Sequence, residues 1–173
     1  MRTVHCTEER HAAAMLAIFN HAILNSTALY DYKPRPPEAM SGWFETKRKH
    51  AFPVLGLEDE SGKLLGFASY GTFRAWPAYK YSVEHSIYIH DACRGQGLGR
   101  RLLTELIEEA RARDVHTMVG GIDTTNRASI ALHERLGFQP GGVIREVAYK
   151  FGNWLDLAFY QKVLSTPAHP NEE

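Results

Sequence analysis

Apolar residues recur at helical spacing in four stretches of the chain. In the first stretch, Ala14, Ile18 and Ala22 share one face of a helix, and Thr7 before it is a residue type that caps helix N-termini. Gly137, after the fourth stretch, suits a left-handed C-cap. The predicted helices are Glu8 to Leu24, about Pro37 to about Lys49, Leu98 to Arg113, and Asn126 or Arg127 to Leu136.

Shorter apolar or alternating runs, bounded by turn residues, predict strands. They are Thr3 to Cys6, Phe52 to Glu58, Leu64 to Phe73, Tyr81 to Ile89, His116 to Ile122, Val143 to Tyr149 and Leu155 to Leu164. The turn Asp59-Glu60-Ser61-Gly62 joins the second and third strands as a hairpin, so the sheet begins antiparallel. One β-helix-β unit follows. The order predicts an α/β fold with a mixed, mostly antiparallel sheet and helices on both faces.

Length and composition are those of one domain. A chain of 173 residues with 44% hydrophobic residues can bury its own core, so residues 1–164 are expected to form a single domain and 165–173 a flexible tail. Lys plus Arg and Asp plus Glu both number 20, which disfavours nucleic acid and anionic membranes and favours a small-molecule partner. A signal-peptide pattern and a membrane-length apolar run are lacking, so a cytoplasmic location is expected. The two cysteines indicate no metal site.

A glycine-rich loop connects the strand that ends at Ile89 to the helix that begins at Leu98. Gly95, Gly97 and Gly99 stand at every second position, so backbone N–H groups at the start of the helix are open to an anion. The dinucleotide fingerprint needs glycine where this chain has Arg100, and the Gly-Lys-Ser/Thr of a Walker loop is absent. The loop predicts a phosphate or pyrophosphate site, with an ordinary tight turn as the alternative.

The loop reads Arg94-Gly95-Gln96-Gly97-Leu98-Gly99, which resembles the Arg-x-x-Gly-x-Gly motif of the GCN5-related N-acetyltransferases. Asn126-x-x-Ser129-x-x-Leu132-His133-x-x-Leu136-Gly137-Phe138 resembles their second coenzyme motif. Three further stretches are similar to the phosphinothricin and methionine sulfoximine N-acetyltransferases. They are Asn20-His21-Ala22, Val83-Glu84-His85-Ser86-Ile87-Tyr88-Ile89 and Lys150-Phe151-Gly152-Asn153-Trp154-Leu155-Asp156.

The resemblance implies an acetyl-coenzyme A (acetyl-CoA) site and a homodimer. It implies that the strand around Ile87–Ile89 splays from the strand around Val119–Ile122, so that the pantetheine arm enters the gap, and that backbone N–H groups at Ile87–Ile89 polarise the acetyl oxygen. The coenzyme-binding residues implied are Ile87, Tyr88, Ile89, Arg94, Gly95, Gln96, Gly97, Leu98, Gly99, Arg100, Asn126 and Ser129.

Two residues are candidates for proton transfer. An attacking amine must be neutral, and the family position of a glutamate matches Glu84, which is therefore expected to act as the base. Strand spacing alone favours a solvated carboxylate, and the match to the family's glutamate position reverses that preference. His133 stands where many superfamily members have tyrosine, so it either donates a proton or hydrogen bond to the coenzyme sulfur or merely packs beside the coenzyme.

Aromatic loops are expected to select the substrate. Arg74 can bind an amino-acid carboxylate through a two-pronged hydrogen bond, and the family matches at this position. The other predicted substrate residues are Ala75, Trp76, Tyr30, Tyr79 and Phe151. The herbicide-inactivating relatives carry His where this chain has Phe151, which favours methionine sulfoximine or methionine sulfone over phosphinothricin. A non-catalytic acyl-CoA sensor and an acetyltransferase acting on a protein amine remain as alternatives.

Overall fold

The computed structural model describes residues 1–172, which form four α-helices, two single-turn 3-10 helices and a seven-stranded sheet. The α-helices are α1 (Glu8–Asn25), α2 (Ala39–Lys49), α3 (Leu98–Ala112) and α4 (Arg127–Arg135). The strands are β1 (Arg2–His5), β2 (Val54–Glu58), β3 (Leu64–Thr72), β4 (Ser82–Ile89), β5 (Thr117–Asp123), β6 (Gln139–Lys150) and β7 (Asn153–Val163). Every predicted helix and strand is present.

The sheet order is β1-β2-β3-β4-β5-β7-β6. The pairs β1/β2, β2/β3, β5/β7 and β6/β7 are antiparallel, whereas β4 and β5 are parallel across α3. The register of β4 and β5 covers three positions, from Ser82↔Thr117 to Glu84↔Val119. The predicted mixed, mostly antiparallel α/β class is therefore confirmed.

The first of two compact units comprises residues 1–69 and 86–103. Aromatic rings fill its core: the ring centroid of Phe19 lies 4.9 Å from that of Phe67 and 5.0 Å from that of Tyr88. Edge-to-face contacts of this kind stabilise beyond the area that they bury. Tyr88 belongs to β4, so the strand that leads to the glycine loop is fixed by its own side chain.

A buried carboxylate fixes the edge of this unit. Glu58 on β2 accepts hydrogen bonds from Arg2 at 2.8 Å, Arg10 at 3.2 Å and His11 at 3.0 Å. The hydrogen bonds from His11 and Arg2 lower the pKa of Glu58. Since these partners come from β1 and α1, one ionised side chain connects three elements.

The second unit comprises residues 70–85 and the described residues from 104 onward. Strand β7 lies between β5 and β6 and pairs with both along most of its length. The apolar side chains buried in this unit include Leu106, Ile107, Ala110, Met118, Ile122, Phe138, Leu155 and Ala158. This packing holds β5 and α4, which carry part of the candidate site.

The boundaries differ from the prediction where proline and glycine occur. Helix α2 begins at Ala39 rather than near Pro37, and the Pro36 and Pro37 carbonyls accept the N–H groups of the next turn. Strand β6 begins at Gln139, four residues before Val143, because a register shift between Pro140 and Gly142 keeps the segment paired with β7. Because Pro140 and Gly142 are typical of turns, the sequence pattern did not predict this bulged part of the strand.

The end of the chain makes several hydrogen bonds. Thr166 Oγ1 donates to the Val115 carbonyl at 2.6 Å, and Lys80 donates to the Asn171 side chain at 2.9 Å. Residue 173 lies outside the described residues, and the single domain and the flexible tail stay predictions. No helix among residues 1–172 has the length and apolar character needed to cross a membrane.

Gly66 provides a test of the packing between β3 and β4. A Cβ atom there would lie 2.8 Å from the Tyr88 carbonyl oxygen and 3.2 Å from Ile89 Cα, which are backbone atoms. We expect Gly66→Ala to lower the free energy of unfolding, measured by urea titration, by about 1–3 kcal/mol. Gly42→Ala on α2 is the control, because a Cβ atom there meets nothing within 4 Å and removes backbone entropy from the unfolded chain. Equal stability of the two variants would contradict the close packing.

Candidate functional site

The glycine loop requires backbone conformations that other residues avoid. Gly95 and Gly97 have φ angles of 76° and 77°, and a Cβ atom on either would meet nothing within 4 Å. Glycine is needed there by the left-handed backbone rather than by crowding inside the protein. The space beside the loop is open to an incoming group.

Backbone N–H groups without a helical partner lie at the start of α3, next to the loop. Arg101 N donates to the Gly97 carbonyl at 3.2 Å, so the N–H groups of Leu98, Gly99 and Arg100 precede that first helical bond. They lie at the positive end of the helix dipole. The Leu98 side chain is buried and anchors this end of the helix. The arrangement suits a phosphate-bearing ligand.

Glu84 on β4 is a half-buried carboxylate beside a glycine. A Cβ atom at Gly121 on β5 would lie 3.2 Å from Glu84 Oε1, so the missing side chain gives the carboxylate its space. Burial raises the pKa of Glu84, and the positive charge of Arg74 partly opposes that rise. The raised pKa makes the carboxylate a stronger base than an exposed glutamate.

Arg74 follows β3 and is exposed. Its guanidinium donates to the Phe73 carbonyl at 2.8 Å and lies 4.4 Å from the centroid of the Phe73 ring. The Phe73 ring also meets Tyr79 edge to face, at 5.8 Å. Arg74 and Tyr79 thus both contact the Phe73 ring, and the charge of Arg74 acts on Glu84.

The opposite face of β4 carries His85, which sequence reasoning did not assign to a function. Its Nε2 lies 2.9 Å from His133 Nε2, and both rings are buried. Burial, followed by the neighbouring His133, lowers the pKa of His85 to about 3, and burial also lowers the pKa of His133. The alternation of Val83 and His85 with Glu84 was the signal for an inward-facing histidine.

Asn126 and Ser129 lie together at the start of α4. The Asn126 side chain accepts a hydrogen bond from Ser129 N at 3.1 Å and so caps the helix. The Ser129 carbonyl in turn accepts from His133 Nδ1 at 2.7 Å. These contacts set the orientation of the His133 ring.

The remaining predicted substrate residues lie in turns and loops. Tyr30 and Trp76 are exposed. Phe151 occupies the β6–β7 turn with a φ angle of 51°, its ring 4.8 Å from Lys150 Nζ, and its carbonyl accepts from Asn153. Nothing in these contacts assigns Phe151 to the surroundings of Glu84.

Asn20 secures the loop that carries Tyr30. Its side-chain amide donates to the Arg35 carbonyl at 3.0 Å and accepts from Arg35 N at 2.7 Å. The Arg35 guanidinium lies 4.6 Å from the centroid of the Phe19 ring and pairs with Asp31 at 3.0 Å. The motif Asn20-His21-Ala22 therefore contains a residue that fixes the loop backbone.

Within residues 1–172 no group of three or more His, Cys, Asp or Glu side chains could hold a metal ion.

Known proteins share this architecture. Residues 17–138 match the acetyltransferase (GNAT) family. An L-methionine sulfoximine/L-methionine sulfone acetyltransferase from Pseudomonas aeruginosa is 46% identical, over 85% of this chain and 86% of that protein.

Two solved structures extend the comparison. A ribosomal-protein-alanine N-acetyltransferase from Brucella melitensis has a TM-score of 0.92 and 44% identity, covering 95% of this chain and 100% of that one. A phosphinothricin acetyltransferase from Sinorhizobium meliloti, in complex with acetyl-CoA, has a TM-score of 0.92 and 32% identity, covering 98% and 91%. A glycine loop open to phosphate and a family match over most of the chain lead to one conclusion: the chain belongs to the GNAT family of acetyltransferases.

Proposed function

We propose that this acetyltransferase uses acetyl-CoA to acetylate the α-amino group of a small amino-acid-like substrate of the methionine sulfoximine, methionine sulfone or phosphinothricin type. The observation that carries the proposal is the half-buried carboxylate of Glu84, whose pKa is raised by burial and which senses the positive charge of Arg74. A base and a cation that act on each other electrostatically suit an α-amino acid, which presents an amine and a carboxylate on adjacent atoms. The names of the relatives support the same substrate class.

The glycine loop is proposed to hold the pyrophosphate of the coenzyme. Its support is the set of free N–H groups of Leu98, Gly99 and Arg100, together with the positive φ angles of Gly95 and Gly97. Arg94 and Gln96 are exposed on the same loop. Asn126 and Ser129 are proposed, by resemblance to the second coenzyme motif, to contribute as well.

The proposed reaction is direct transfer. Glu84 takes a proton from the substrate ammonium group, and the amine nitrogen then attacks the thioester carbon. The new C–N bond forms while the carbonyl electron pair moves to oxygen, and the return of that pair breaks the C–S bond and expels the sulfur as thiolate. The second proton of the amine nitrogen is lost to water or to the departing thiolate, which leaves the neutral amide and coenzyme A. Backbone N–H groups at Ile87 to Ile89 are proposed to stabilise the developing oxyanion.

Phe151 is proposed to bias the choice of substrate. An apolar ring offers no hydrogen bond to a phosphinate, so methionine sulfoximine and methionine sulfone are the favoured substrates. Phe151 is exposed in the β6–β7 turn. It can therefore act on substrate choice only if the bound substrate, or a second copy of the chain, reaches this turn.

A second candidate function is acetylation of a protein amine. The similarity to a ribosomal-protein-alanine N-acetyltransferase favours it. A coenzyme A release assay with free amino acids and with peptides separates the two candidates. Release with free methionine sulfoximine supports the first, and release with peptides alone supports the second. Release with neither would favour a non-catalytic acyl-CoA sensor.

We also propose a homodimer. Its support is an exposed apolar surface on β6 and β7, where β6 is the last strand of the sheet. The exposed side chains are Val143, Ile144, Val147, Tyr149, Trp154 and Val163. A second copy of the chain would remove this surface from water.

Gly97→Val tests the phosphate site. A valine strains the left-handed backbone and moves the N–H groups, so affinity for acetyl-CoA, measured by calorimetry, should fall at least about tenfold, the value of one lost charge-assisted hydrogen bond. Gly62→Val is the matched control, because Gly62 has a φ angle of 83° and equally open surroundings in the β2–β3 turn. Unchanged affinity in Gly97→Val would remove the loop from the coenzyme site.

Glu84→Gln tests the base. The amide cannot accept the ammonium proton, so kcat at neutral pH should fall by about 100- to 10,000-fold and recover partly at high pH, where free amine is abundant. Binding of acetyl-CoA should persist. Glu60→Gln in the exposed β2–β3 turn should have normal activity. A near-normal rate for Glu84→Gln would assign the proton to another base or to water.

Arg74→Ala tests both the substrate contact and the electrostatics. The KM for methionine sulfoximine should rise by about 10- to 100-fold, and the KM for an analogue without the carboxylate far less. Because Arg74 lowers the pKa of Glu84, its loss should raise that pKa and move the acid limb of the kcat/KM profile to higher pH. If the acid limb of the kcat/KM profile does not move and KM changes equally for both substrates, Arg74 has only a structural role.

A further inference from the structure

A buried pair of histidines lies on the face of β4 opposite Glu84. His85 Nε2 and His133 Nε2 are 2.9 Å apart, and the Phe138 ring lies 5.1 Å from each imidazole ring. Gly120 on β5 makes the space: a Cβ atom there would lie 3.0 Å from His85 Cε1 and 3.1 Å from His133 Nε2. Gly121, the next residue, makes the space for Glu84 on the other face.

Hydrogen-bond chemistry fixes the protons on His133. The Ser129 carbonyl, 2.7 Å from His133 Nδ1, can only accept, so this nitrogen carries a proton. The Ser129 hydroxyl is farther away, at 3.5 Å. Burial lowers the pKa of His133, so the ring is neutral and its Nε2 holds a lone pair.

The same hydrogen-bond argument assigns the tautomer of His85. Because His133 Nε2 accepts, His85 Nε2 must donate, and the neutral His85 ring then has no proton on Nδ1. That nitrogen is buried without a hydrogen-bond partner among residues 1–172, and an interaction with the Val119 backbone, which raises the pKa of His85, offsets the effect of burial only in part. Burial is the main reason why the pKa of His85 falls to about 3, so this ring stays neutral as well.

Both nitrogens of His133 are therefore engaged inside the protein. Nδ1–H is used by Ser129 and the Nε2 lone pair by His85, which leaves no proton to give to a departing sulfur. A thiol with an ordinary pKa of about 8.5 leaves without full protonation, so the reaction does not need one. The hydrogen bond also connects β4 to α4 one residue away from Glu84.

We propose that His85 is a positioning residue: by donating from Nε2 to His133, it holds His133 in the Nδ1–H tautomer and fixes the segment of β4 that presents Glu84. His133 is then a fixed acceptor and not a general acid. The role toward Glu84 rests on the proposed acetyl transfer, whereas the tautomer assignment does not depend on it.

Nitrogen-15 NMR of the imidazole rings in the full chain tests the tautomers, because protonated and unprotonated ring nitrogens have well-separated shifts. We expect protonated Nδ1 and unprotonated Nε2 for His133, and the reverse for His85, unchanged through neutral and mildly alkaline pH. A protonated Nε2 on His133, or an imidazolium pattern for either ring near pH 7, would overturn the proposal.

Two substitutions test the positioning role. The side-chain amide of His85→Gln keeps an N–H donor near the place of Nε2, whereas His85→Phe keeps a ring of similar size without the donor. We expect kcat to fall about tenfold in His85→Phe, roughly the value of one hydrogen bond, and to return to within about threefold of wild type in His85→Gln. The KM for acetyl-CoA should stay the same in both.

Controls distinguish a failure of the positioning role from a failure of the proposed function. Thermal unfolding first establishes that both variants are folded, and the wild-type NMR experiment needs neither of them. Equal kcat in His85→Phe and His85→Gln would show that the site needs only packing, and the positioning role would be wrong. A wild-type chain that acetylates no amine would overturn the proposed function and the role toward Glu84, while the ring nitrogens would still decide the tautomers.

Discussion

The parallel pairing of β4 with β5 is the constraint on which the surroundings of Glu84 and His85 depend. The register places Glu84 opposite Val119, and the two glycines that follow on β5 give space to side chains on both faces of the sheet. Gly121 accommodates the carboxylate and Gly120 the imidazole pair. Two environments for ionisable side chains, one half-buried and one buried, are thus built from Glu84, His85 and the two glycines of neighbouring strands, with His133 of α4 completing the buried one.

The sequence contains most of this fold because the local patterns are strong. The helix from Leu98 has a continuous apolar face, and β5 is a short apolar run between turn residues, so both are recognisable without tertiary information. The start of β6 was missed because Pro140 and Gly142 are typical of loops. Only the long-range pairing with β7, with its bulge, makes this segment a strand.

The candidate site was predictable in part. The glycine spacing and the family match led to the loop and to Glu84, and the structure adds the left-handed φ angles and the cause of the raised pKa. The partner of His133 could not be found in this way. His85 and His133 are 48 residues apart, and their contact depends on the packing of a helix on a strand, which sequence spacing does not encode.

The two hydrogen bonds from Asn20 to Arg35 have a consequence for how this enzyme can change. They use only the backbone of Arg35, so the loop is held by peptide groups that every residue except proline can supply. The residues between α1 and Arg35, including Tyr30 and Tyr32, can therefore vary without loss of this anchor. The backbone position at Arg35 is therefore retained under substitution of the neighbouring side chains, whereas the ion pair between Arg35 and Asp31 depends on those two residue types.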